Sequence, residues 1–63
     1  MAQARDPLHK LRHDLSNPLA AILVETQLLL LSAEKFDEET VGSLKQIETL
    51  ARKMREILQT LDV

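Results

Sequence analysis

Apolar residues return at intervals of three and four along nearly all of this chain, in two segments separated by the polar stretch Glu34-Lys35-Phe36-Asp37. That period belongs to helices, whose successive side chains turn by about 100°. In the first segment Leu8, Leu11, Leu15, Leu19, Ile22 and Leu29 fall within about 80° of arc, a stripe suited to burial. Ile22, Leu23 and Val24, and the run Leu28 to Leu31, then place apolar groups on nearly every side, which demands cover from more than one neighbour. The second segment carries two interleaved seams, Leu44, Ile47, Ala51, Met54, Leu58, Leu61 and Ile47, Leu50, Met54, Ile57, Leu61. Alternating three-and-four spacing packs helices side by side, and two adjacent seams on one helix suit two neighbours at once.

The ends of both segments are marked. Asp6-Pro7 reads as a helix start, since Asp caps free amides and Pro tolerates the first helical position. Asp37 followed by Glu38 and Glu39 reads as a second cap, with acidic residues at the positive end of the helix dipole. These signals predict one domain over 1–63, with residues 1–5 frayed, a helix over about 8–34 and a second over about 38–62. Each helix would be roughly 37–40 Å long. Gly42 lies in the first turn of the second helix, a weakness of up to about 1 kcal/mol against Ala. Pro18 removes its own amide donor and frees the Asp14 carbonyl, so a hinge is expected there. Asn17-Pro18 could instead cap and start a new helix, cutting the first at residue 16; the stripe crosses the site in phase, which favours continuity.

Sixty-three residues rarely bury enough to fold firmly alone, and the absence of Cys rules out disulfides and thiolate zinc as staples. Thirteen Leu against one aromatic residue, Phe36, speak for helix over sheet. The predicted class is all-α: an antiparallel helical hairpin whose exposed stripes close only when two hairpins form a homodimeric four-helix bundle. Eight Lys and Arg against ten Asp and Glu leave a charge of −2, without the basic excess that tracks nucleic-acid backbones. No apolar run approaches the ~18 residues of a membrane span, so no membrane contact by this segment is expected. The polar N-terminus is no secretory signal, and a cytoplasmic location is expected, with a membrane-anchored parent left open.

With the first stripe taken as the inside, His13 points about 160° away, with Asn17 about 40° and Lys10 about 60° from it and Asp14 about 100° from it. Exposed imidazoles are partly neutral at pH 7 and can act as nucleophiles. A neighbouring carboxylate can take or orient the proton of one ring nitrogen, and an amide one turn on can donate to a phosphoryl oxygen or place a water. His9 and His13 share the spacing of a zinc pair, but two ligands are insufficient, and no metal is expected. Arg52, Lys53 and Arg55 form a small basic cluster, expected near the level of residues 16–20 in an antiparallel hairpin.

His13-Asp14-Leu15-Ser16-Asn17-Pro18-Leu19 resembles the H-box of two-component sensor histidine kinases, with Asp in place of the commoner Glu and Asn in place of the commoner Thr. The resemblance covers nearly the whole chain, because the dimerization and histidine phosphotransfer domain of that family is a two-helix hairpin with the box early in its first helix. It implies that His13 is the phospho-acceptor, that Asp14 is the base or orienting carboxylate, and that Asn17 contacts the phosphoryl group or positions water. It also implies a response-regulator receiver domain as recipient, docking beyond the histidine on Ala20, Ala21 and Val24, with Leu28 extending that surface. The family holds ATP and Mg on a separate catalytic domain. This chain, with a single Gly, shows no nucleotide-binding box, so no cofactor is expected in it and it is expected to be inactive as a kinase alone. The expected activity is that of part of a sensor protein histidine kinase, as an excised domain or, less in keeping with the pattern, a stand-alone phosphotransfer protein. A purely structural helical dimerization module would share every apolar feature, and only the box separates the two.

Overall fold

The computed structural model describes residues 6–61, two helices folded back on one another. Helix α1 spans Asp6–Leu30 and helix α2 spans Glu38–Thr60, joined by a 3₁₀ turn at Ala33–Lys35. The helical hairpin read from the sequence is thus the fold. Residues 1–5, 62 and 63 and the side chain of Asp6, read as a cap, lie outside the described residues.

Helix α1 stops at Leu30, short of the expected 34, because its hydrogen bonds tighten. The Leu31 amide is shared between the Gln27 and Leu28 carbonyls at 3.1 and 3.2 Å, and the Ser32 amide donates to Leu29 at 3.0 Å. Such i→i−3 bonds satisfy the last carbonyls while bending the chain out of the α path. At the start of α2 the Asp37 carboxylate accepts from the Thr40 amide at 2.7 Å, the cap the sequence predicted. Pro18 lies inside α1 without interrupting it, so the restart at Asn17-Pro18 does not occur.

Within one hairpin the two helices share only part of each apolar stripe, as a stripe too wide for a single partner requires. The hairpin core is Leu19 and Leu23 of α1 against Ala51 and Leu58 of α2, with Leu61 packed beside it. Thr26 is buried with them, its hydroxyl donating to the Ile22 carbonyl at 2.6 Å, so no buried side-chain polar atom among the described residues is stranded. Leu8, Leu11, Leu15, Ile22 and Leu29, the body of the predicted inside stripe, stay roughly half exposed. They lie about 60° around α1 from the seam that touches α2. On α2 the two interleaved seams separate: Ala51 and Leu58 turn inward, while Ile47, Leu50, Met54 and Ile57 remain 43–56 % exposed. That outer row lies about 75° from the seam and, because the helices are antiparallel, on the same side of the hairpin as the outer row of α1. One continuous apolar face results, flanking the seam along the length of the molecule.

The shape agrees. The chain measures 53 × 15 × 12 Å with a radius of gyration of 15.3 Å, against roughly 11 Å for a compact domain of this length. A rod two helices wide encloses only the small core along its seam.

Candidate functional site

The open end of the hairpin, away from the 3₁₀ turn, carries the residues singled out by the sequence. Arg12 is half-buried in the seam and donates to the Leu61 carbonyl at 2.9 Å, tying the end of α2 to α1. That bond supplies a partner for a carbonyl at the negative end of the α2 dipole. The following residue, His13, turns out of the seam. Its side chain is 71 % exposed, on the side of the hairpin opposite the apolar face.

His13 Nδ1 lies 4.0 Å from Asp14 Oδ1, beyond hydrogen-bond reach but oriented toward it, which leaves Nε2 as the outward nitrogen. The other oxygen, Asp14 Oδ2, accepts a hydrogen bond from Lys10 Nζ at 2.7 Å. The Lys10 hydrogen bond, joined by its charge, holds the Asp14 carboxyl below the usual carboxylate range, and the same contact raises the Lys10 ammonium above its ordinary value. Asp14 is therefore an ionised acceptor at neutral pH, engaged by Lys10 and not by the imidazole. Asn17 stands exposed one turn beyond His13 on the same ridge. Ser16 faces the seam and donates to the Arg12 carbonyl at 2.7 Å. The structure thus brings His13, Asp14, Asn17 and Lys10 onto one solvent-facing patch.

Ala20, Ala21 and Val24 are all exposed. Ala20 and Val24 fall within about 20° of His13 around the helix, whereas Ala21 lies about 80° away, at the edge of that face. Leu28 is 53 % and Leu31 79 % exposed, and together with Val24 they extend a small apolar strip from the histidine toward the turn. Leu31 was read in the sequence only within the apolar run Leu28 to Leu31 and not as part of this strip.

The basic cluster on α2 only partly meets the level expected, with Arg55 inside it and Arg52 beyond it. The cross-hairpin bonds Arg12 to Leu61 and Gln27 to Glu48 fix the register, placing Arg52 opposite residues 21–23 and Arg55 opposite 18–20. Arg52 stands about 13 Å along the axis from His13. Its guanidinium is 3.1 Å from the Glu48 carboxylate, which also accepts from Gln27 at 3.3 Å. The cation that reaches the histidine's neighbour is Lys10, whose ammonium is 2.7 Å from Asp14 Oδ2. Its i, i+4 spacing to Asp14 was a visible sequence signal.

No group of three or more metal-ligating side chains occurs among the described residues, and no described helix is long and apolar enough to cross a membrane. Compared with known proteins, residues 4–63 match a family model described as the His Kinase A (phospho-acceptor) domain. No curated protein and no solved structure matches the chain.

Proposed function

Because the chain belongs to the His Kinase A (phospho-acceptor) domain family, we propose that His13 accepts a phosphoryl group on Nε2 and passes it to an aspartate of a response-regulator receiver domain. The observation that carries this reading is the placement of the one histidine in the box on an exposed ridge, with Nδ1 turned toward a carboxylate and Nε2 outward. In the transfer, Nε2 attacks the γ-phosphorus of ATP held with magnesium on a separate catalytic domain. The N–P bond forms, the bond from phosphorus to the β-bridging oxygen breaks with its electron pair leaving on ADP, and the Nδ1 proton passes to Asp14. Asn17, one turn on, steadies the phosphoryl oxygens or the water that attacks the receiver's phospho-aspartate. Pro18 is the hinge of the helix that presents them, and the exposed strip from Ala20, Ala21 and Val24 to Leu28 is where the receiver docks. This chain, a phosphotransferase component of a sensor kinase, is inert as a kinase without the catalytic domain, and it acts in the cytoplasm.

The same reading makes the working unit a homodimer. Nine large apolar side chains on one face of each hairpin are about half exposed. Covering them contributes roughly 7–13 kcal/mol per hairpin, more than four buried apolar residues supply within it. Two hairpins joined through that face form a four-helix bundle and leave both His13 ridges outside.

The test is chemical. Incubation with ATP and a matching catalytic domain should give an acid-labile, base-stable label on wild type and none on His13→Ala. Label retained by His13→Ala would overturn the assignment in favour of a purely structural dimerization module. Asn17→Ala should chiefly impair dephosphorylation of the regulator, while autophosphorylation persists.

A further inference from the structure

Lys10 has no counterpart among the residues just assigned, yet it is the charged side chain that engages the site. Its ammonium is 2.7 Å from Asp14 Oδ2, and Asp14 Oδ1 is 4.0 Å from His13 Nδ1. Around α1, Lys10 and Asn17 lie within about 20° of one another, one turn below and one turn above the imidazole. Both therefore flank the space in front of Nε2. The charge balance there is unfavourable without Lys10. Asp14 is ionised, a phosphoryl group adds roughly −1.5 to −2 near neutral pH, and Arg12 is turned away to the Leu61 carbonyl. Arg52 is held at Glu48, about 13 Å along the axis.

We infer that Lys10 is a phosphoryl-binding residue: its ammonium leaves Asp14 for the oxygens of the phosphoryl group arriving at His13, completing an anion clamp with Asn17 and freeing Asp14 to take the Nδ1 proton. This rests on the proposed role of His13. In the resting state Lys10 offsets the Asp14 charge and keeps the carboxylate off the imidazole. As the phosphoryl group arrives, the ammonium meets a stronger anion within reach of its four-carbon stem, and the released carboxylate is poised one contact from Nδ1. The side chains of Lys10 and Asp14 are 74 % and 53 % exposed, so the exchange needs no unfolding. Bond changes are those of the transfer itself, since Lys10 moves charge and exchanges no proton.

The inference can be tested on this chain without a catalytic domain, with phosphoramidate as a small anionic donor. Its P–N bond breaks, ammonia leaves, and the phosphoryl group is transferred to imidazole. The rate of phosphohistidine formation, followed by phosphorus NMR, should fall about 3- to 10-fold in Lys10→Met, as expected for loss of one nearby charge partly screened by water. Lys10→Arg should restore most of it, with helical circular dichroism the same in all three. The gap between wild type and Lys10→Met should shrink by more than half between about 20 mM and 500 mM salt, a signature that a merely structural surface pair would not produce. Equal rates for wild type and Lys10→Met at low salt, with His13 phosphorylated in both, would overturn the role of Lys10 and leave that of His13 standing. Absence of phosphorylation at His13 in wild type would remove both.

Discussion

At the residue scale, the polar side chains of this hairpin act mostly through one short contact each. Asp37 holds the Thr40 amide at 2.7 Å, and the Thr40 hydroxyl together with that amide keeps its carboxyl below the usual range. A carboxyl lowered in the folded state stabilises the fold above its unfolded titration, near pH 4, and the contribution is lost as pH falls through the lower folded value. Asp37→Ala should therefore lower the thermal midpoint by a few degrees at pH 7, and the gap to wild type should narrow toward pH 2. A constant gap across that range would contradict the cap as its source. Gly42 offers the opposite change. Nothing lies within 4 Å of a Cβ built there, so Gly42→Ala should stabilise by about 0.5–1 kcal/mol, read from urea unfolding at fixed protein concentration. The cap was legible in Asp37-Glu38-Glu39, because capping is a local matter. The Arg12 bond to Leu61 was not, because it joins positions 49 apart and depends on the register of the two helices.

At the element scale, the informative contrast is between neighbouring positions on α1. Leu23 is 4 % exposed in the seam, and Leu28 is 53 % exposed on the outer strip. Leu23→Ala should cost about 2–3 kcal/mol of stability and Leu28→Ala under about 1 kcal/mol, measured by chemical denaturation. Similar losses at both would mean that the seam is not where the structure puts it. The period of three and four revealed both helices and the turn between them, since it follows from helix geometry alone. It did not reveal which of two adjacent apolar rows meets the partner helix. Leu8, Leu11, Leu15, Ile22 and Leu29 form the more regular row, yet α2 packs against Leu19, Leu23 and Thr26. Thr26 is the polar member of that buried row. Its hydroxyl finds the Ile22 carbonyl within its own helix, and that removes the cost of burying it.

At the scale of the whole molecule, the apolar face is what the proposed homodimer would cover. Leu15→Lys combined with Met54→Lys places charges in the middle of that face on both helices and leaves the seam intact. Sedimentation should find wild type dimeric at micromolar concentration and the double variant monomeric and largely unfolded. A wild type that stays monomeric at all concentrations with full helicity would contradict the four-helix bundle.

The sequence by itself determined two helices, the Asp37 cap and the family to which the box belongs, since periodicity, capping and the seven-residue box are written in neighbouring positions. Tertiary structure alone decided the rotation of each helix about its axis, and with it which leucines are shared within the hairpin and which remain outside. It also placed Arg52 about 13 Å along the axis from the imidazole. The physical reason is that a wide apolar arc is compatible with several rotations of similar burial. Only side chains from both helices, meeting in one register, choose among them.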